Sequence, residues 1–252
     1  MKYSVVITYC CGRKKELNEL LDSIYSQTML PKEVLVVTDG VAPELKGLEY
    51  DITLVEGNKI GRPGPLRNKG IQKSNYDLIF LSDDDDIWHP QKAEFQINEI
   101  KNNRDIGICF TDKLSFAADF GIKTIKYFKQ PKSDSIKFHN LLLRNNLSLS
   151  SCLINRSVTT PVFNPSVDVR GWEDYELWLR EVQNTKIVKI RCELLFYRSH
   201  SGSIRNGHIF QMFESQKKML LTTYNLSMIM RVFVKIIFSL RIIKWKLKAN
   251  EF

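Results

Sequence analysis

The chain has 252 residues and is 43% hydrophobic, enough for a real core in one large domain or one domain with an appendage. Lysine and arginine outnumber aspartate and glutamate by 37 to 28, a formal charge of +9, so an anionic partner is expected: a nucleotide, a nucleic acid or a membrane surface. Cys10, Cys11, Cys109, Cys152 and Cys192 are odd in number, lack a C-x-x-C and start with an adjacent pair that bridges poorly, which argues against a disulfide scaffold or zinc site and for a reducing compartment.

Residues 3–8 are β-branched and apolar and predict a buried strand, not a signal peptide, because no small-residue cleavage site follows. Gly12 and Arg13 turn the chain into a helix over 14–27, where Leu17, Leu20, Leu21, Ile24 and Tyr25 share one face. Residues 34–37 predict a second buried strand ending in Thr38-Asp39-Gly40, and 52–55 a third, near an edge. A Gly- and Pro-rich loop, 57–65, feeds a helix around 66–72 that carries Arg67, Asn68 and Lys69. The apolar run 77–81 predicts a fourth buried strand, too short for a helix, with Asp83, Asp84, Asp85 and Asp86 at its end. Trp88 and Pro90 close that loop ahead of a helix from about Gln91. Beyond it, 106–111 predicts a strand, 113–130 irregular strands or a hairpin, 135–144 a helix and 148–154 a strand rich in small hydroxyls. Glu173 and Asp174 open another helix behind Trp172, and 193–197 predicts a last strand before a loop containing His200.

Strand–helix–strand alternation predicts an α/β fold, a mostly parallel sheet with helices on both faces. Three strand ends then deliver Thr8 and Tyr9, Asp39, and Asp83 to one edge, where ligands bind in such sheets. Four adjacent carboxylates repel one another, so the run fits either a solvated acidic loop or a hard cation held by oxygen ligands. Asp39 fits a turn residue or a hydroxyl-binding acid, and Arg67 an exposed helix charge or a phosphate contact. Glu173 and Asp174 fit helix capping, or a general base beside an aromatic platform for sugar, Trp172. His200 fits an ordinary loop histidine or a metal or phosphate ligand.

These motifs together resemble a family 2 glycosyltransferase of the GT-A fold, from Tyr3 to about Arg205. The resemblance rests on Val5-Val6-Ile7-Thr8-Tyr9, Val36-Val37-Thr38-Asp39-Gly40, Arg67-Asn68-Lys69-Gly70, the run from Asp83 to Pro90, and Trp172-Glu173-Asp174. It implies a nucleotide-diphosphate sugar donor, with UDP expected, and Mg²⁺ or Mn²⁺ as cofactor. It places Thr8, Tyr9, Asp39, Arg67, Asp83 and Asp84 on the nucleotide, with Asp83 near the ribose and Arg67 on the diphosphate. Asp85 is then the metal ligand, with His200 beside it; Asp174 is the catalytic base, with Glu173 its neighbour; and Trp172, Asp86 and Trp88 face sugar or acceptor. Ile7, Cys10 and Thr38 depart from the family pattern, and Thr38 bears on selectivity for the base. A sugar-nucleotide nucleotidyltransferase would carry a longer Gly-rich signature after the first strand, and no nucleic-acid-binding motif is present.

The expected division is a catalytic domain over 1–205 and a basic helical segment over 206–252. In that segment 210–224 predicts a helix, and Ile229, Val232, Phe233, Ile236, Leu240, Ile243 and Leu247 line one face of another, with Arg231, Lys235, Arg241, Lys244, Lys246 and Lys248 at its margins. No run is long enough to span a bilayer. An apolar stripe with basic margins suits a helix lying on an anionic membrane, here the inner face of a cytoplasmic membrane with a glycan or lipid-linked acceptor, or else a helix docked on the domain or on a second subunit.

Overall fold

The structure is a computed structural model that describes residues 1–10, 12–43, 51–57, 59, 61–116, 128–129, 131–143, 145–166, 169, 171–199, 205–224 and 227–249. The chain starts as β1 (Tyr3–Tyr9), α1 (Lys14–Tyr25), β2 (Glu33–Asp39), β3 (Thr53–Gly57), α2 (Pro63–Lys73) and β4 (Leu78–Asp83). β1 lies between β2 and β4, β3 flanks β2, and all four run parallel. The second half adds β5 (Ile87–Trp88), α3 (Lys92–Asn102), β6 (Ile106–Phe116), β7 (Ser133–Ile136), α4 (Phe138–Leu143), a 3-10 turn (Leu149–Ser151) and β8 (Leu153–Asn155). It closes with α5 (Glu173–Glu181), β9 (Lys186–Arg198), α6 (Arg205–Thr223) and α7 (Met228–Ala249). β8 runs antiparallel to both β4 and β6, β9 runs parallel to β6, and β5 and β7 pair antiparallel with β9. One mixed nine-stranded sheet results, ordered β3-β2-β1-β4-β8-β6-β9-β5 with β7 on β9.

Side chains alternate along a strand, so each central strand feeds two cores. Val5 and Ile7, Val34 and Val36, and Phe80 pack with Leu17, Leu20 and Leu21 of α1 and Ile97 of α3. Val6, Val37, Ile79 and Leu81 pack on the other face with Leu66 of α2, Leu177 and Trp178 of α5, and Leu220, Val234 and Phe238 of α6 and α7. Two residues beyond Val6, Val37 and Leu81 stand Thr8, Asp39 and Asp83. The period therefore brings all three polar ends out on the face covered by α2 and α5. Gly70 sets how closely α2 lies there: a Cβ on it would stand 2.3 Å from Val6 Cγ1.

Several boundaries differ from expectation. α2 starts three residues early because Pro63 suits the first helical turn. The run 148–154 splits into the 3-10 turn and the short β8. Residues 135–144 divide between β7 and α4. β9 extends back to Lys186, since Lys189 and Arg191 find acids, Asp112 and Asp134, at its flanks. Of 113–130, the first four residues continue β6, and 117–127 lie outside the described residues, as does His200.

Candidate active site

The four acids turn at the carboxyl end of β4, and each takes a different partner. Asp83 accepts from Arg67 Nη2 at 2.8 Å and from Thr8 Oγ1, on the neighbouring strand, at 3.2 Å. Its own amide donates to Ser150 Oγ at 3.0 Å. Asp84 accepts the Cys10 amide at 2.6 Å and Arg13 Nη1 at 3.0 Å. The same Arg13 nitrogen lies 2.7 Å from Asp85 Oδ2. Asp86 accepts the Arg198 amide at 3.1 Å, while Arg198 Nε donates to the Asp85 carbonyl at 2.8 Å. The Arg198 guanidinium also pairs with Glu19 and stacks over Phe116. The repulsion anticipated among the acids is thus met, in part, by two arginines, Arg13 in the β1–α1 turn and Arg67 in α2, and by the backbone amide of Arg198 at the end of β9. A solvated acidic loop is ruled out, because Asp84 and Asp86 are each 1% exposed.

Burial governs the protonation of this turn. It pushes the Asp84 carboxyl up to about 7, against the Cys10 amide and Arg13, which pull it down. Asp86 is pushed well above the usual carboxylate range, by burial first and then by the charge of Asp85. Burial would lower the pKa of Arg67, but Asp83 and Glu173 outweigh it and hold the guanidinium charged.

Arg67 reaches across to the second acidic pair. Its Nη1 lies 3.4 Å from Glu173 Oε1, and its guanidinium stands over the Phe163 ring. Glu173 also accepts the Gly171 amide at 2.8 Å, and burial raises its pKa. Asp174, half-buried at the start of α5, accepts the Tyr175 amide at 2.7 Å. Part of the capping reading therefore holds, since Trp172 at the N-cap offers no side-chain bond. One guanidinium joins Asp83, at the end of β4, to the helix start that carries Asp174. Asp39 closes the other side: both its oxygens accept the Gly61 amide, at 3.2 and 3.0 Å.

The structure corrects several assignments. Trp88 is 1% exposed, beneath Lys92 and against Phe80, with its indole N–H on Ser82 Oγ, so it offers no face to a sugar. Trp172 is buried in the core with Tyr175 and Trp178 and is no platform either. Asp86, expected to face sugar or acceptor, is 1% exposed and sealed beneath the Arg198 backbone. Asp84, expected on the nucleotide, is 1% exposed and bonded to Cys10 and Arg13 beneath the surface. The Tyr9 ring is buried in the α1-side core, which leaves its backbone at the strand end. Glu173 is held by Arg67 and by the Gly171 amide. Sequence reasoning missed Arg13, Ser150 and Arg198. Arg13 stood in a Gly-Arg turn just after β1, but nothing local shows that its side chain folds back over residue 84.

Residues 4–156 match the family described as Glycosyl transferase family 2. The uncharacterised glycosyltransferase YwdF of Bacillus subtilis is 27% identical over 203 residues, covering 78% of this chain and 74% of that protein. The UDP-Gal:alpha-D-GlcNAc-diphosphoundecaprenol beta-1,3-galactosyltransferase of Escherichia coli is 28% identical over 204 residues, covering 73% and 68%. The crystal structure of S. aureus TarS 1–349 in complex with UDP-GlcNAc aligns with a TM-score of 0.67 at 17% identity, over 94% of this chain and 70% of that one. The chain belongs to glycosyltransferase family 2, and its mixed sheet with acids at the end of β4 is the GT-A fold.

Proposed function

We propose that this glycosyltransferase moves a sugar from a UDP-sugar to a hydroxyl of a lipid-linked or glycan acceptor in surface-polysaccharide synthesis, with inversion and with Mg²⁺ or Mn²⁺. The observation that carries this reading is Arg67, hydrogen-bonded to Asp83 on one side and to Glu173, the neighbour of Asp174, on the other. The donor's diphosphate and the acceptor's hydroxyl must meet between two such groups. The names of the relatives support the donor and acceptor classes: one pairs UDP-Gal with a diphosphoundecaprenol-linked sugar, and one neighbour holds UDP-GlcNAc.

Asp174 takes the acceptor proton as the hydroxyl oxygen attacks the anomeric carbon. The bond from that carbon to the diphosphate oxygen breaks in the same step, and its electron pair leaves with UDP. One displacement on the face opposite the leaving group inverts the centre. Diphosphate leaves as an anion, so it needs charge and not a proton, unlike the leaving oxygen in glycoside hydrolysis. Arg67, held charged between its two acids, lies on the side where that charge gathers. Asp85 provides oxygen donors suited to a hard cation. Among the described residues no three acids, histidines or cysteines converge, so a cation here would complete its shell with diphosphate oxygens, as Mg²⁺ commonly does. When bound, it offsets the charge developing on the diphosphate.

Attachment to an anionic membrane surface through α7 belongs to the same proposal. Ile229, Val232, Phe233, Ile236, Leu240 and Ile243 are exposed along one face, while Val234 and Phe238 on the other join the core. α7 holds six lysines and arginines and no acid. Among the described residues no helix is long and apolar enough to cross a membrane.

The decisive experiment is Asp174→Asn. Transfer should vanish while UDP affinity, read by calorimetry, stays near wild type. Retained transfer removes Asp174 as base, and a wild-type protein that binds no nucleotide removes the proposed donor class.

A further inference from the structure

Three arginines serve the acidic turn, but they are not equally held. The side chains of Arg67 and Arg198 are each 7% exposed, whereas that of Arg13 is 38% exposed. Arg67 is fixed by the close seat of α2 at Gly70, and Arg198 by its strand and by Glu19. Arg13 stands just ahead of α1, on a turn that Gly12 makes at φ +94°. A single atom, Nη1, spans Asp84 Oδ1 at 3.0 Å and Asp85 Oδ2 at 2.7 Å. That is the position of a cation shared between two carboxylates.

We propose that Arg13 is the internal counter-ion of Asp84 and Asp85 in the nucleotide-free protein, that it competes with the divalent cation for Asp85, and that it withdraws when cation and nucleotide bind. This rests on the nucleotide-sugar reading above. Two positive groups cannot both sit against one Asp85 oxygen without strong repulsion, and the guanidinium stays charged at any working pH. The exposed arginine is the one that can leave; Arg67 and Arg198 keep the turn in shape while it does. Arg13 is thus a positioning residue that sets how tightly the cation is held before nucleotide arrives. A purely structural prop predicts the opposite sign, since a turn loosened by its loss would bind a cation less well.

The test is Mn²⁺ titration into the full chain without nucleotide, followed by the electron-paramagnetic-resonance signal of unbound Mn²⁺. Arg13→Gln should bind Mn²⁺ roughly tenfold more tightly than wild type, the order expected for removing one partly exposed charge. Arg13→Lys keeps the charge but loses the fork, so it should fall between the two. If Arg13→Gln does not fold, tighter binding by Arg13→Lys than by wild type is the same test. Equal or weaker Mn²⁺ binding by the variants, in protein that still binds UDP, overturns the role of Arg13 alone. A wild-type protein that binds no UDP, with or without Mn²⁺, overturns the nucleotide-sugar reading and the role of Arg13 with it.

Discussion

The acidic turn and the last helix satisfy their side chains in opposite ways. At the turn, four carboxylates on consecutive residues draw donors from β1, the β1–α1 turn, α2 and β9, elements far apart in the chain. On α7 the apolar face is left in the open: Ile229 is 81% and Leu240 60% exposed. Buried charge cannot stand without partners, so it organises the rest of the chain around itself. Exposed apolar surface has no such hold on its own chain, and a stripe this long on a soluble face marks a surface for something else.

Four substitutions would break or sharpen that contrast. The largest effect belongs to Arg67→Met. It leaves Asp83 and the buried Glu173 without their cation and should destabilise the fold by about 3 kcal/mol, the low end for a broken buried pair because Asp83 is partly exposed, while abolishing transfer. Denaturant unfolding and donor turnover would read the two effects, and an unfolding midpoint near wild type would sever Arg67 from the stability of the turn.

Next is Lys92→Met. Lys92 is fully buried, with its ammonium over the rings of Trp88 and Phe80, 3.8 and 4.4 Å from their centroids. Burial lowers its pKa from 10.5 to about 7, and nearby Cys152, Cys109 and Asp86 only partly oppose this. Between pH 7 and 10.5 the unfolded chain binds the proton that the folded one rejects, so stability rises with pH across that window. The stability tied to this group is complete above 10.5 and is lost as pH falls through 7. The methionine variant should lack the slope, which amounts to a few kcal/mol over the window. Denaturant unfolding of both proteins at several pH values isolates it, and parallel curves would show that Lys92 does not titrate there.

Gly70→Ala comes third. The added methyl meets Val6 Cγ1 and Val37 Cγ2 and should cost about 1–3 kcal/mol by lifting α2, with a loss of UDP affinity as Arg67 shifts. Unchanged affinity would mean that the helix seat and the site are independent. Leu240→Asp should be smallest for the fold, within about 0.5 kcal/mol at an exposed position, yet should abolish flotation with anionic vesicles. Flotation at the wild-type level would move α7 from a lipid to a protein partner.

The strands that carry the site were legible because they are buried on both faces. Val5 to Ile7, Val34 to Val37 and Leu78 to Leu81 read as unbroken apolar runs, and Thr8, Asp39 and Asp83 follow within two residues of their ends. The partners of the acids were not legible, since Arg13 and Arg198 lie 72 and 112 residues from the acids they bond. The tryptophans misled for a related reason. An aromatic beside acids looks like a sugar platform, yet Trp88 is claimed by Lys92 from the next helix and Trp172 by the packing of α5. A two-residue strand such as β5 carries no periodicity at all, and the charges of Lys189 and Arg191 hid the first half of β9 until their acidic neighbours were known.

The bond from the Arg198 amide to Asp86 has a bearing on biosynthesis. It joins residues 112 positions apart, so the acids leave the ribosome long before the strand that completes their cradle. Until β9 threads between β6 and β5, the nascent chain holds four crowded carboxylates without the amide that Asp86 takes from Arg198. Such a late, long-range closure is the slow kind of folding step. Strand insertion and the maturation of the acidic turn are then a single event, and a truncated or stalled chain carries the acids without the site.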